Sequence, residues 1–135
     1  MEKKSKKRRI SVQSGKQKGR RLQQDVRDRV LELFKEELEP DDVRSTGMGQ
    51  SGTDLQLSPL AKRKFPFALE AKNQEALSIW ACLEQAEANS DNLIPLLVFK
   101  RNRSKTYACL NVDDFFKILE ELYEYRKDEK TLLKG

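Results

Sequence analysis

The chain has 135 residues, 37% of them apolar, and a formal net charge of +5. This size fits one small domain with a single hydrophobic core better than two domains. Because the sequence contains no histidine, mechanisms that need an imidazole base, an imidazole metal ligand or a Ser-His-Asp relay are excluded.

The cysteine content and the hydropathy pattern restrict the class of protein further. Cys82 and Cys109 are too few for a structural zinc site and lie in apolar stretches, so we expect packed thiols in a reducing compartment. The sequence has no apolar run of about 18 residues and no apolar signal segment near its N-terminus. We therefore expect a cytoplasmic protein with no membrane partner.

The positive charge is concentrated at the N-terminus. Residues 1–21 contain ten Lys or Arg and one acid, a charge of +9, whereas residues 22–135 carry a charge of −4. So much like charge with so few apolar residues predicts a flexible basic arm over 1–21 and a folded domain over 22–135. Dense Lys and Arg favour contact with nucleic-acid phosphates, and the alternative is a solubilising or localising extension.

The first half of the folded domain predicts one helix and three short strands. Apolar residues recur at near-helical spacing from Leu22, which predicts a helix that ends before Pro40. Strands are expected at 43–45, 54–57 and 67–72. We expect the second and third of these strands to form a hairpin.

A glycine-rich loop separates the first two predicted strands. Its sequence, Gly47-Met-Gly-Gln-Ser-Gly52, matches the GxGxxG pattern of dinucleotide-binding sites. A strand follows the loop, however, where pyrophosphate binding needs the N-terminus of a helix. Thr53 and Asp54 also stand where a P-loop has Lys and Ser or Thr, so nucleotide binding is not expected.

The second half predicts a helix, two paired strands and a last helix, so that the order of elements is α-β-β-β-α-β-β-α. The first of these helices is expected over 75–89, with Trp80 in the core or in a dimer contact, and stacking on a nucleic-acid base is the alternative. The strands are expected over 95–99 and 106–110, and Asn111 is expected to cap the last helix. The predicted buried stripe of the last helix is Phe115, Ile118, Leu119 and Leu122.

Three charged residues on neighbouring predicted strands form the strongest candidate site. Glu70 and Lys72 share one face of their strand because strand side chains alternate. If the second and third strands pair, Asp54 approaches Glu70, and two close carboxylates repel unless a cation lies between them or one is protonated. A hard divalent ion such as Mg²⁺ fits this pair. The alternative is an exposed Glu-x-Lys on an ordinary sheet.

Asp54, a gap of fifteen residues and Glu70-Ala71-Lys72 resemble the signature of the PD-(D/E)xK, or restriction-endonuclease-like, nuclease superfamily. Further markers are similar to the archaeal and phage type of Holliday junction resolvases within that superfamily. These markers are Lys18-Gly19, Val43-Arg44-Ser45, Ser51-Gly52 and Gln85-Ala86.

The resemblance implies both a fold and an activity. The implied fold is an α/β domain with an α-β-β-β-α-β core, in which helices flank a mixed central sheet. The implied activity is that of a Mg²⁺-dependent DNA endonuclease, with Mn²⁺ as a substitute. Such an enzyme acts as a homodimer on four-way junctions, here at the nucleoid of a bacterial or phage-infected cell.

The resemblance also implies roles for individual positions. The implied metal ligands are Asp54, Glu70 and the carbonyl of Ala71. Lys72 would orient the attacking water or stabilise charge on the phosphate, and Gln85 would be a supporting catalytic residue. The family usually has a glutamate in helix one, where this chain has the neutral Gln23 and Gln24.

Basic and polar residues outside this centre are candidates for contact with DNA. They are Arg20, Arg21, Arg44, Ser51, Lys62, Arg63, Lys64, Arg101 and Arg103. The clusters at 62–64 and 100–103 lie at predicted strand ends, where a duplex can pass. Branched DNA is the expected substrate, and ordinary duplex, nicked or flap DNA is the first alternative. A non-catalytic nucleic-acid-binding adaptor is the alternative from another class.

Overall fold

A computed structural model describes residues 12–47 and 52–134 of the chain. Helix α1 spans Val12–Leu33 and is followed by a 3-10 turn at Pro40–Asp42. Residues 12–21 therefore belong to this helix and not to a flexible arm, which corrects the predicted boundary at Leu22. Once the packed part of the helix has formed, each further residue adds a hydrogen bond without a new nucleation cost, so the charged segment continues the helix.

The strands form a two-stranded and a three-stranded sheet. Strand β1 (Val43–Ser45) pairs antiparallel with β2 (Leu55–Leu57). Strand β3 (Phe67–Asn73) pairs in parallel with β4 (Ile94–Lys100), which in turn pairs antiparallel with β5 (Tyr107–Cys109). The molecule is thus an α/β fold with a mixed sheet flanked by helices, as predicted and as a restriction-endonuclease-like core requires.

The predicted hairpin between the second and third strands is wrong. Strand β2 pairs with β1, and the residue before β2 is joined to β3 by a backbone hydrogen bond from the N–H of Asp54 to the carbonyl of Leu69 at 2.9 Å. The intervening segment is a short helix, α2 (Pro59–Lys64), and not a tight turn. Ser58 caps this helix by accepting a hydrogen bond from the N–H of Ala61, and a proline at the first helical position favours the same structure.

The main core lies where α1 meets the sheet. Leu22 and Val30 of α1 pack in one cluster with Leu69 and Ala71 of β3 and Val98 of β4. The third helix, α3 (Ile79–Ala88), packs against β3 and β4 through its buried residues Cys82 and Ala86. Helix α1 is therefore fixed against the strand that carries Glu70 and Lys72.

Helix α3 differs from the prediction at its N-terminal end. It begins at Ile79, after Ser78 at the N-cap position, and not at 75; Glu75 lies outside the helix, where it accepts a hydrogen bond from the N–H of Asn102 in the β4–β5 turn. Trp80 is 81% exposed, so a core position for this residue is wrong and a dimer contact stays a prediction. Cys82 is buried and Cys109 half-buried, and both are free thiols, as expected.

Helix α4 (Val112–Lys134) begins as predicted, but it does not bury its apolar stripe. The Asn111 side chain caps it by accepting a hydrogen bond from the N–H of Asp113 at 2.7 Å. The stripe residues Phe115, Leu119 and Leu122 are 49%, 44% and 41% exposed, which corrects the prediction of burial. Helical periodicity specifies an apolar face but not the surface that covers it.

Within the described segments, no helix has the length and apolarity needed to cross a membrane.

Candidate functional site

Asp54 lies immediately before β2, and both its backbone and its side chain bond to β3. Its N–H donates to the Leu69 carbonyl, and its Oδ2 accepts from the N–H of Ala71 at 2.6 Å. The N–H of Thr46 donates to the Asp54 carbonyl at 2.9 Å, which ties the residue to the end of β1 as well. The carboxylate is thereby held at the edge of β3, beside Glu70.

Glu70 and Lys72 stand two residues apart on β3, so their side chains lie on the same face of the strand. Glu70 is only 2% exposed, and its Oε1 lies 3.3 Å from the Nζ of Lys72. Leu69 and Ala71 belong to the apolar core, in agreement with strand alternation. The cluster is thus two carboxylates, each held near β3, with one ammonium group beside them.

The environment of the cluster disfavours negative charge on both acids. Burial raises the pKa of Asp54, and the Ala71 N–H, the Lys72 charge and a Gln23 hydrogen bond oppose this rise without overcoming it. Burial also raises the pKa of Glu70, and the negative charge of Asp54 raises it further against the opposing effect of Lys72. Two acids that destabilise each other in this way are stabilised by a bound cation.

Helix α1 brings Gln23, and not Gln24, to the acid pair. The side chain of Gln23 lies close enough to Asp54 to oppose the rise in its pKa as a hydrogen-bond donor, and Gln23 lines the same cleft. Gln24 faces a separate groove that Arg27 and Arg44 also line. Gln23 therefore occupies the helix-one position at this site, and it contributes a hydrogen bond without charge.

The cluster opens into a cleft of about 450 Å³ between α1 and the C-terminal end of β3. Lys16, Arg20 and Gln23 line its α1 wall, and their spacing of four and three residues places them on one helical face. Arg20 was singled out as a DNA contact, whereas Lys16 was counted only as one of the basic residues of the N-terminal segment. The spacing of these three residues was the signal that could have revealed it.

Asn73 and Gln74 extend the β3 wall of the cleft and were also missed by the sequence analysis. The Oδ1 of Asn73 is buried, and no residue in the described parts of the chain donates a hydrogen bond to it. Such an oxygen is available to a water or to a substrate group. Strand alternation places Glu70 and Lys72 on one face of β3, and this pattern does not include Asn73. The sequence pattern therefore did not indicate Asn73 as a site residue.

The donor set fits a hard divalent cation. Asp54 and Glu70 supply carboxylate oxygens, and the carbonyl of Ala71 points to the same edge of β3 as the N–H that binds Asp54. Among the described residues, no group of three or more acidic, cysteine or histidine side chains forms a metal cluster. Mg²⁺ accepts a coordination shell that consists of a few protein oxygens and several waters.

Three other predicted residues, Gln85, Arg44 and Arg21, lie away from the cleft. Gln85 is exposed on α3 and does not line the cleft, so the structure does not bring this predicted catalytic residue to Asp54 and Glu70. Arg44 forms an ion pair with Asp41 at 3.4 Å. Arg44 lines the same groove as Gln24. Arg21 is exposed on α1 outside the cleft lining, and Ser51 lies outside the described residues.

The two predicted basic clusters lie at opposite ends of the strands. Residues 62–64 belong to α2, between the end of β2 and the start of β3, whereas Asp54 precedes β2 and Lys72 lies near the end of β3. Lys64 there pairs with Glu37 at 3.0 Å. Arg101 and Arg103 follow β4, whose last residue pairs with the last residue of β3, so this turn lies at the cleft end.

Comparison with known families agrees with this geometry. A family model described as "Phage putative PDDEXK endonuclease" matches residues 14–133. The chain belongs to this phage endonuclease family. Searches of curated proteins and of solved structures returned no significant match. The match confirms the predicted resemblance to the PD-(D/E)xK nuclease superfamily, and it includes the part of α1 that lines the cleft.

Proposed function

We propose that this protein is a Mg²⁺-dependent DNA endonuclease whose active site is the cleft with Asp54, Glu70 and Lys72. One observation carries the proposal: Asp54 is bonded to the N–H of Ala71 while Glu70 lies 3.3 Å from Lys72, so both acids and the lysine converge. Acidic oxygens beside an ammonium group in an open cleft suit phosphodiester hydrolysis. Membership in a nuclease family supports the same reaction class.

Each residue of the cluster has a role in this proposal. Asp54, Glu70 and the Ala71 carbonyl would hold the cation. The chemistry supplied by bound Mg²⁺, or by Mn²⁺ as a substitute, is polarisation of the phosphodiester and a lowered pKa of water. Lys72 would orient the attacking water and stabilise negative charge that develops on the phosphate. Gln23 holds the Asp54 carboxylate in place by its hydrogen bond.

Positive charge around the cleft supports DNA as the partner. Lys16 and Arg20 line the α1 wall, and Arg101 and Arg103 lie in the turn at the same end of the sheet. Arg21 and the Lys and Arg residues before Val12 would add contacts to phosphates farther from the cleft. Arg44 is a weaker candidate because it lies in a separate groove.

The finer proposal is a branched substrate, such as a four-way junction, cut by a homodimer. The sequence markers shared with junction resolvases support the substrate. The exposed apolar face of α4 and the exposed Trp80 support self-association, since large apolar side chains on a monomer surface are unfavourable in water. Paired nicks on two strands would use the two sites of a twofold dimer.

The test is cleavage of labelled four-way, flap, nicked and linear duplex DNA in Mg²⁺, in Mn²⁺ and in EDTA. We expect cutting only with the metals. Asp54→Asn and Lys72→Ala should each reduce the cleavage rate by at least about a hundredfold while DNA binding persists. Glu84→Gln, an exposed acid on α3, is the matched control and should cut as the unmutated chain does.

A non-catalytic nucleic-acid-binding adaptor is the second candidate. The neutral Gln23 at the helix-one position favours it, because only two acids are seen at the described site. An adaptor would bind DNA but cut none of the substrates with either metal. Equal cutting of linear and branched DNA would instead support the endonuclease and overturn the branched substrate.

A further inference from the structure

A second groove lies next to the cleft along the sheet. It has a volume of about 390 Å³ and lies between the segment that precedes α3 and the β4–β5 turn. Gln74 lines both the cleft and this groove, so the two are neighbours. The floor is apolar and aromatic, with Leu77, Ile79, Phe99 and Tyr107. A groove that adjoins the cleft with the proposed catalytic centre is positioned to hold substrate beside the scissile phosphate.

Three residues form a row across the sheet from the catalytic centre into this groove. Lys72 on β3 pairs with Phe99 on β4, and Phe99 pairs with Tyr107 on β5, so all three side chains lie on one face. The Phe99 and Tyr107 rings are 6.0 Å apart between centroids. With a strand spacing of about 4.8 Å, the row from Lys72 to Tyr107 spans about 10 Å, the length of roughly three stacked nucleotides.

Tyr107 offers an aromatic surface that the protein itself does not cover. It is 55% exposed although it sits on a strand beside Phe99. Exposed aromatic rings next to cationic side chains are the usual platforms on which unpaired bases stack. Paired bases inside a duplex do not present their faces, so this ring fits an unpaired base and not a continuous duplex.

The rim of the groove carries positive charge in a fixed position. Lys100 and Arg101 line it, and its one acid, Glu75, accepts a hydrogen bond from the N–H of Asn102 at 2.9 Å. The Asn102 Oδ1 accepts a hydrogen bond from the Nζ of Lys18 on α1 at 2.8 Å. The β4–β5 turn is therefore held from two sides, and its cations lie beside the groove. Because the turn is already ordered, DNA binding need not order it at a cost in conformational entropy.

We propose that this groove binds unpaired nucleotides of the substrate, with a base stacked on Tyr107 and phosphates near Lys100 and Arg101. The inference rests on the proposed endonuclease function and deepens it. The groove selects DNA that carries a single-stranded segment next to the cleavage point, such as a flap, a tail or an open junction. Continuous duplex gains nothing from this groove.

The test is binding in EDTA, so that no cleavage occurs. Fluorescence anisotropy would compare a blunt duplex with the same duplex carrying a 5′ or a 3′ single-stranded tail. We expect the unmutated chain to bind at least one tailed duplex more tightly than the blunt one. Tyr107→Ala should weaken binding to that tailed DNA by about tenfold and leave binding to blunt duplex within about twofold. Tyr107→Phe should retain the preference because the ring remains.

Two further variants separate stacking from charge and from loss of fold. Tyr125→Ala removes a tyrosine from α4 that is even more exposed, at 68%, and we expect no effect on either DNA. For Lys100→Ala with tailed DNA, we expect the slope of log K against log salt to decrease in magnitude by about 0.7, because one phosphate contact is lost. Far-ultraviolet circular dichroism and thermal melting would confirm that each variant is folded.

The outcomes distinguish this inference from the endonuclease proposal. Equal loss of blunt and tailed binding in Tyr107→Ala, or no preference for tailed DNA in the unmutated chain, would overturn the groove assignment even if Mg²⁺-dependent cutting is observed. A tail preference that depends on Tyr107 in a chain that cuts no DNA would uphold the groove and overturn the nuclease.

Discussion

At the scale of single residues, the unusual feature is that Asp54 uses its side chain as part of the sheet. Its N–H bonds to Leu69 as a strand residue would, and its Oδ2 then takes the N–H of Ala71, two residues farther along β3. The side-chain hydrogen bond to Ala71 takes the place of the backbone hydrogen bond that would follow if β2 and β3 were paired. This bond fixes the carboxylate next to Glu70 before any cation binds, which is the preorganisation that a metal site needs.

That arrangement lowers stability when no metal is bound, and the effect depends on pH. The folded chain holds protons on Asp54 and Glu70 to higher pH than the unfolded chain does, because their pKa values are raised. The free energy of unfolding should therefore fall as pH rises from the ordinary carboxyl range, about 4, through the raised pKa values. This contribution is fully present below the ordinary carboxyl pKa and is lost as the pH rises through the raised pKa values of Asp54 and Glu70.

Asp54→Asn tests this prediction. Asparagine can still accept the Ala71 hydrogen bond but cannot ionise, and it also removes the charge that raises the pKa of Glu70. In EDTA at neutral pH, we expect the variant to be more stable than the unmutated chain by on the order of 1 kcal/mol. The difference should vanish towards pH 4. Chemical denaturation across this pH range is the measurement, and a less stable variant at neutral pH would contradict it.

Metal binding should reverse the order of stability. Millimolar Mg²⁺ should raise the melting temperature of the unmutated chain at neutral pH, since a ligand that binds only the folded state stabilises it. Asp54→Asn should show little or no such shift. Equal shifts in both proteins would place the cation elsewhere.

At the scale of elements, the two long helices differ most from their sequence patterns. Helix α1 extends back to Val12, and this extension carries Lys16 and Arg20 to the cleft. Helix α4 keeps the predicted cap at Asn111 but leaves its apolar face exposed. In both helices the periodicity correctly indicated a helix, whereas its length and its partners depended on contacts distant in sequence.

We expect α4 to be a contact between two copies of the chain. Replacing both Leu119 and Leu122 by Glu should weaken self-association by at least about a hundredfold, because two apolar side chains would lose their buried environment. Light scattering after gel filtration is the measurement. The control changes Glu120 and Glu121 to Gln on the same helix and should leave the mass unchanged. A chain that is monomeric at all concentrations would contradict the prediction.

At the scale of the whole molecule, charge is divided between an N-terminal segment and a mildly acidic remainder. Residues 1–11 precede α1 and contain six Lys or Arg and one Glu. The cleft receives its cations from α1 and from the β4–β5 turn. The α2 cluster at 62–64 lies at the other end of β2 and β3. We therefore expect the N-terminal segment and the cleft end, and not α2, to dominate DNA affinity.

Deletion of residues 1–11 tests this distribution and leaves α1 intact from Val12. We expect the slope of log K against log salt to decrease in magnitude by up to about five, since each phosphate contact contributes about 0.9. Changing Lys62 and Arg63 to Gln is the matched control and should alter the slope by less than about 1. A larger effect from α2 than from the N-terminal segment would place the DNA on the opposite end of the sheet.

Several features of the candidate site followed from local patterns alone. Strand alternation predicted that Glu70 and Lys72 share a face, and the lack of histidine excluded imidazole chemistry. The predicted proximity of Asp54 and Glu70 is found, although it arises from a side-chain bond to Ala71 and not from the expected hairpin. The motif spacing also indicated the nuclease superfamily, which the family match confirms.

Only the tertiary structure decided which elements meet. It selected Gln23 over Gln24, added Lys16 and Asn73 to the cleft, left Gln85 outside it, and separated the two basic clusters. The physical reason is that the periods of helices and strands specify the direction of side chains within one element, whereas the contacts between elements depend on packing and chain connection. The amino-acid sequence alone therefore determined the chemical groups and their faces, and packing determined their neighbours.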